Sequence, residues 1–124
     1  MTKLEALADA IKTYEGWWPL SRSWRNNNPG NLRYSKFQAG NSGNYSYFSS
    51  FASGWLALWW DLWKKCRGET VTGLNGNSTL LELFYKWAPW SDGNNPDAYA
   101  NYVAARLKIT TATPLKYFLE ELTQ

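Results

Sequence analysis

Near the start of the chain, the apolar positions Leu4, Leu7, Ala8, Ile11 and Tyr14 recur at helical spacing, and the stripe closes on an acid, Glu15. Thr2 and Glu5 supply a Thr-x-x-Glu capping box ahead of it. Gly16 is placed to end that helix, and Pro19 blocks its continuation. Periodicity then lapses. Residues 17–30 read as loop, with a turn at Asn28-Pro29-Gly30-Asn31, where Pro presets φ and Gly accepts a positive one. Short β-type runs at 32–35 and 45–48, separated by a Gly/Asn/Ser stretch, predict a small antiparallel hairpin or three-stranded flap. A second helix is predicted over 54–67 with Ser53 as cap. Trp55, Leu56, Leu58, Trp59, Leu62, Trp63 and Cys66 cover more than half its circumference, which predicts a central, buried helix. Thr79 and Glu82 form a second capping box for a helix reaching about Trp87, where Pro89 stops it. Pro96 suits the first turn of a fourth helix over 96–108, with Tyr99, Tyr102, Val103 and Leu107 inward. Thr113 and Pro114 start a short fifth helix with Leu115, Phe118, Leu119 and Leu122. The predicted class is α+β and mostly helical: about five helices, with a small antiparallel hairpin inserted after the first. At 124 residues, without repeats or a linker, the chain reads as one domain over 1–124.

Composition narrows the chemistry. A chain that is 44% hydrophobic and 19% charged folds; its 18% aromatic content, with nine Trp, leaves rings over for stacking on sugars or bases. The net charge of +3 favours an anionic partner such as a cell wall or a nucleic acid, but no Lys/Arg run makes a dedicated nucleic-acid patch. The single Cys66 excludes an intrachain disulfide and reads as a buried, inert thiol. The absence of His removes Ser-His and Cys-His nucleophile pairs and His metal sites, so acid–base work falls to carboxylates, Tyr or Lys. No phosphate-cradling Gly motif is present, and no metal or organic cofactor is expected. The first residues are amphipathic and charged, unlike a signal peptide. The apolar run 55–63 is interrupted by Asp61 and too short to span a bilayer, so no integral membrane segment is expected.

Of the ten acidic residues, most fall at polar or capping positions; Glu15 and Asp61 lie in apolar surroundings. Asp61, among Trp59, Trp60, Leu62 and Trp63, reads as facing solvent on a narrow polar strip with Lys64 and Lys65. Glu15 reads either as an outward C-terminal helix residue or as a desolvated acid at the negative end of a helix dipole. The second environment favours the proton-bearing form that a general acid uses. Asn26-Asn27-Asn28 is turn chemistry that can also wall a cleft.

Arg25-Asn26-Asn27-Asn28-Pro29-Gly30-Asn31-Leu32-Arg33-Tyr34, following a helix that ends in Glu, resembles a motif of phage lysozyme-like and lytic-transglycosylase-like glycosidases. Phe51-Ala52-Ser53-Gly54-Trp55-Leu56-Ala57-Leu58 resembles the segment after it. Trp87-Ala88-Pro89, then Asp92-Gly93-Asn94-Asn95-Pro96 with Tyr99 and Tyr102-Val103, resembles the C-terminal portion. The resemblance covers residues 5 to about 110 and implies a cleft between a helical lobe and the hairpin. It implies Glu15 as general acid and Tyr102 across the cleft beside it. Trp24, Tyr34 and Tyr47 would contact sugar rings, and Asn26, Asn28, Asn31 and Tyr99 complete the substrate-binding set. The implied activity is cleavage of the β-1,4 bond between N-acetylmuramic acid and N-acetylglucosamine in bacterial peptidoglycan. The implied setting is a monomeric, endolysin-type protein without a nucleic-acid partner. It would be made in a host cytoplasm and act on the wall after release or as a virion component.

No acid lies between Glu15 and Asp61, so the hairpin cannot supply the second carboxylate common in glycosidases. Two routes stay open. The substrate's N-acetyl group or C6 hydroxyl attacks, as in a lytic transglycosylase, or Asp92, less favourably Asp61, positions water, as in a muramidase. Two other classes compete: a non-catalytic peptidoglycan- or glycan-binding module, and a single-stranded nucleic-acid binder using Arg22, Arg25 and Arg33. The last is weakened by the low strand content, since such stacking domains are usually β-rich.

Overall fold

Side-chain caps set most of the helix starts. In the computed structural model, which describes residues 1–123 and the side chains of residues 1–120, Thr2 and Glu5 exchange both capping-box hydrogen bonds and open α1 (Lys3–Tyr14). Ser21 caps a one-turn helix α2 (Arg22–Arg25), which lies in the stretch expected to be loop; four residues are too few to show a helical period. The hairpin follows as β1 (Gly40–Ser42) and β2 (Tyr45–Tyr47), antiparallel with Gly40 opposite Tyr47 and Ser42 opposite Tyr45. Ser50, not Ser53, caps α3 (Phe51–Cys66), one turn earlier than predicted. The second capping box, Thr79 with Glu82, opens α4 (Leu80–Trp87). After a 3-10 turn at Trp90–Asp92, Asn95 caps α5 (Pro96–Leu107) with Pro96 in its first turn. The chain's last described element is the expected short helix, here of 3-10 type, Leu115–Thr123; the side chain of Leu122 lies outside the described ones. Backbone bonds from Leu80 N–H to Thr113 C=O and from Leu115 N–H to Ser78 C=O tie this last segment to the start of α4.

The class is α+β, about half helical, with one two-stranded sheet. Residues 32–35 do not form a strand. The Asn28 side chain takes both the Leu32 N–H and the Leu32 C=O, and the Gln38 amide takes the Ser35 N–H. With those groups satisfied by side chains, only the bond from Ser46 N–H to Leu32 C=O links the segment to β2.

The core gathers Leu7, Ala8 and Ile11 of α1, Leu58 and Leu62 of α3, Leu83 and Phe84 of α4, Val103 of α5, and Phe118. Each large apolar side chain so buried contributes about 1.5–3 kcal/mol. The hub is α1, which packs on α5, on α3 and on the terminal 3-10 helix. The expectation that α3 is the buried centre is corrected. Its Trp55, Trp59 and Trp63 are only partly covered and Leu56 is exposed, because α3 lies on one side of α1 and its second apolar edge faces outward. Cys66 is a buried free thiol, and burial pushes its pKa up to about 12.

Candidate functional site

Three segments converge on Glu15. The first is its own helix end: Glu15 is the C-terminal cap of α1, its N–H bonded to the Ile11 carbonyl. The chain turns away at Gly16, whose φ of 84° suits glycine and whose added Cβ would lie 2.7 Å from the Trp18 ring. The second is the Asn turn. Asn31 adopts a left-handed φ of 48°, tolerable for Asn, and its Nδ2 donates to Glu15 Oε1 at 3.0 Å. The third is α5, where the Tyr99 hydroxyl donates to Glu15 Oε2 at 2.7 Å. Both carboxylate oxygens are thus held by neutral donors.

Tyr99 is positioned by a run of three rings. Its ring stacks on Tyr14 at 3.9 Å and on Phe84 at 4.3 Å between centroids, leaving the side chain 2% exposed. Burial, then the nearby Glu15 charge and the hydrogen bond to it, push the ionisation of Tyr99 well above the ordinary tyrosine value, and the neighbouring Trp87 indole acts in the opposite direction. Asn31 Oδ1 is buried without a hydrogen-bond partner, the one such side-chain atom among the described residues. Leaving a buried acceptor open costs about 1–3 kcal/mol, a cost accepted where the amide is turned to grip Glu15.

Glu15 and Asn31 line a groove of about 730 Å³. Tyr34 and Tyr45 contribute from the hairpin region, Asp61 and Lys65 from α3, Val71 and Thr72 from the loop after it, and Lys86, Trp87, Ala88, Asp92 and Asn94 from the end of α4 onward. Asp61 is tightly paired with Lys65 at 2.6 Å, whereas Asp92 meets Arg33 only at 4.0 Å. Asp61 therefore lies, as expected, on a partly exposed polar strip with Lys65, and that strip forms part of the groove wall.

The other sequence-predicted residues divide clearly. Tyr34, 74% exposed, and Asp92 line the groove. Asn28 does not: it is 0% exposed, and its amide is spent on Leu32 and on the Ser46 carbonyl, so its expected substrate contact is replaced by a structural one. Tyr99 is too buried to stack on a sugar and acts on Glu15 instead. Tyr102, expected beside the acid, lies one turn further along α5. Its ring meets Tyr14 and its hydroxyl accepts from Arg106, and it is absent from the groove lining. Trp24, Asn26 and Tyr47 also lie off the groove: Asn26 is the C-cap of α2, and Tyr47 packs over Gly40. Tyr45 and Lys86 are lining residues that the sequence did not single out as candidates, and Arg22, Lys65 and Trp87 were noted there only in other connections. Tyr45 could have been found from strand alternation, but nothing in the pattern separates it from Tyr47.

No group of three or more His, Cys, Asp or Glu side chains that could hold a metal occurs among the described residues. Nor is any helix of the described residues long and apolar enough to cross a membrane. No protein-family model matches the chain, and neither a curated protein nor a solved structure matches it.

Proposed function

We propose that this chain is a peptidoglycan-cleaving glycosidase that cuts the β-1,4 bond between N-acetylmuramic acid and N-acetylglucosamine, with Glu15 as its general acid. The observation that carries the reading is the Glu15 carboxylate opening on a groove with one neutral donor fixed on each oxygen. Each oxygen accepts a single side-chain hydrogen bond. A proton carried there passes to the glycosidic oxygen as its bond to C1 breaks, and positioned acids of this kind contribute about 10²–10⁴-fold in rate. Exposed Tyr34 and the partly buried Tyr45 and Trp87 offer ring faces and edges to a saccharide.

The positive charge left at C1 is met in one of two ways. The substrate's own C6 hydroxyl attacks C1, directly or after its N-acetyl oxygen has first closed an oxazolinium there, and the Glu15 carboxylate takes up the hydroxyl proton as the 1,6-anhydro bond forms. Or water attacks, oriented by a second carboxylate. For that role Asp92 is better suited than Asp61, because Asp61 is committed to Lys65 at 2.6 Å while the Arg33 contact of Asp92 is loose. Mass spectrometry of digested, purified peptidoglycan tests the reading. Anhydro-muramic ends identify the first route and reducing muramic ends the second; intact strands after prolonged digestion refute the glycosidase reading.

A further inference from the structure

The groove has an unbalanced set of charges. Asp61 is paired with Lys65 and Asp92 with Arg33, and Glu15 is satisfied by Asn31 and Tyr99. That leaves Arg22 and Lys86 lining the groove with no acidic partner among the described residues. Arg22 is also fixed in place. Its guanidinium carbon lies 4.4 Å from the Tyr45 ring centroid, and that of Arg33 lies 5.3 Å from the same centroid. Two like charges therefore converge on one ring at the groove wall, with only the loose Asp92 contact to offset them. A ring quadrupole holds a guanidinium in position without neutralising it, so the planar donors stay free for a bidentate acceptor.

We propose that Arg22, seconded by Arg33 on the shared Tyr45 ring, forms an anion subsite that binds a carboxylate carried by the glycan substrate. This makes the groove selective for acid-bearing saccharides over neutral N-acetylated ones. The inference rests on the glycosidase reading and deepens it: in a strand of alternating N-acetylmuramic acid and N-acetylglucosamine, the lactyl ether of a muramic acid that carries no peptide supplies the carboxylate. Because Arg22 lies on α2 and Glu15 at the end of α1, the site grips a substituent while the acid addresses the bond. Arg22 acts as a specificity residue and takes no part in proton transfer.

The test uses peptide-free glycan strands with free lactyl carboxylates and the same strands with those carboxylates converted to amides. Binding is measured by calorimetry on Glu15→Gln protein, so that no turnover occurs, and cleavage is measured on protein with Glu15 intact. A charge-assisted, bidentate contact predicts about tenfold tighter binding of the acid strands, a preference that falls steeply with salt. Arg22→Gln abolishes that preference, and Arg22→Lys retains part of it. Arg22 is exposed, and an unchanged circular dichroism spectrum verifies that the variants fold. Equal binding of both strands, or an acid preference that survives Arg22→Gln, overturns the subsite while cleavage of either strand leaves the glycosidase reading standing. Failure of the protein to bind or cleave either strand overturns both.

Discussion

The Tyr99 hydroxyl donates to Glu15 Oε2 at 2.7 Å although the two residues are 84 positions apart in sequence. This bond joins α5 to the end of α1, so it serves both stability and the disposition of the acid. Tyr99→Phe keeps the ring stack with Tyr14 and Phe84 and removes only the donor. Removing the donor from a largely buried hydrogen bond costs about 1–3 kcal/mol, and urea unfolding is expected to show a loss of that order.

Tyr99 also sets an alkaline limit. An unfolded tyrosine releases its proton near pH 10.0, whereas native Tyr99 holds it well beyond, chiefly because it is buried. Above the ordinary value the native state binds more protons than the unfolded one, so stability falls as pH rises, by about 1.4 kcal/mol per pH unit. The full contribution is present below pH 10.0 and is lost as pH climbs through the native value. Urea midpoints measured at rising alkaline pH should fall less steeply for Tyr99→Phe than for the unsubstituted protein. Parallel slopes would show that Tyr99 titrates normally.

Asn28 is the structural centre of the Asn turn. Its buried amide donates to the Leu32 and Ser46 carbonyls at 2.9 and 3.0 Å and accepts from the Leu32 N–H at 2.9 Å. Asn28→Ala leaves those buried groups unpaired and should cost about 2–4 kcal/mol in chemical denaturation. Asn28→Asp, which places a carboxylate against two carbonyls, should cost more.

Gly54 fixes how closely α3 approaches the turn. A Cβ there would lie 1.7 Å from the Asn27 carbonyl oxygen, a backbone atom that cannot swing aside. Gly54→Ala is expected to destabilise by more than about 2 kcal/mol, measured by thermal unfolding, although alanine is the better helix former. A neutral or raised midpoint would mean that α3 and the turn are not in this contact.

Much of this arrangement is legible in the residues themselves. Thr2 with Glu5, Thr79 with Glu82, and Pro96 are local signals whose partners lie within a turn, so the pattern alone identifies them. The stripe ending at Glu15 and the bend at Pro29-Gly30 are equally local. What the pattern could not resolve depends on distant geometry. Tyr99 and Tyr102 both face inward on α5, and which hydroxyl meets Glu15 is decided by how α5 lies across α1. The strand expected at 32–35 was lost to the side chains of Asn28 and Gln38, a competition that β propensity does not register. Arg22 escaped notice as a groove residue because only the fold brings α2 beside Tyr45.

Asn31 should separate positioning from proton transfer. Asn31→Gly suits the left-handed backbone and removes the donor to Glu15 Oε1. On the proposed reading, turnover of peptidoglycan falls at least about tenfold while KM changes little, because the acid is no longer held in place. An unchanged rate would assign Asn31 to the turn alone.

Replacing Glu15 with Gln keeps the shape of the side chain and removes the transferable proton. Clearing of outer-membrane-permeabilised cells by purified Glu15→Gln protein, followed by mass spectrometry of the soluble products, addresses the central claim most directly. The account predicts a rate at least about 10²-fold below that of the unsubstituted protein, with no new glycan ends. Clearing at the unsubstituted rate, with the same muropeptides released, would contradict it.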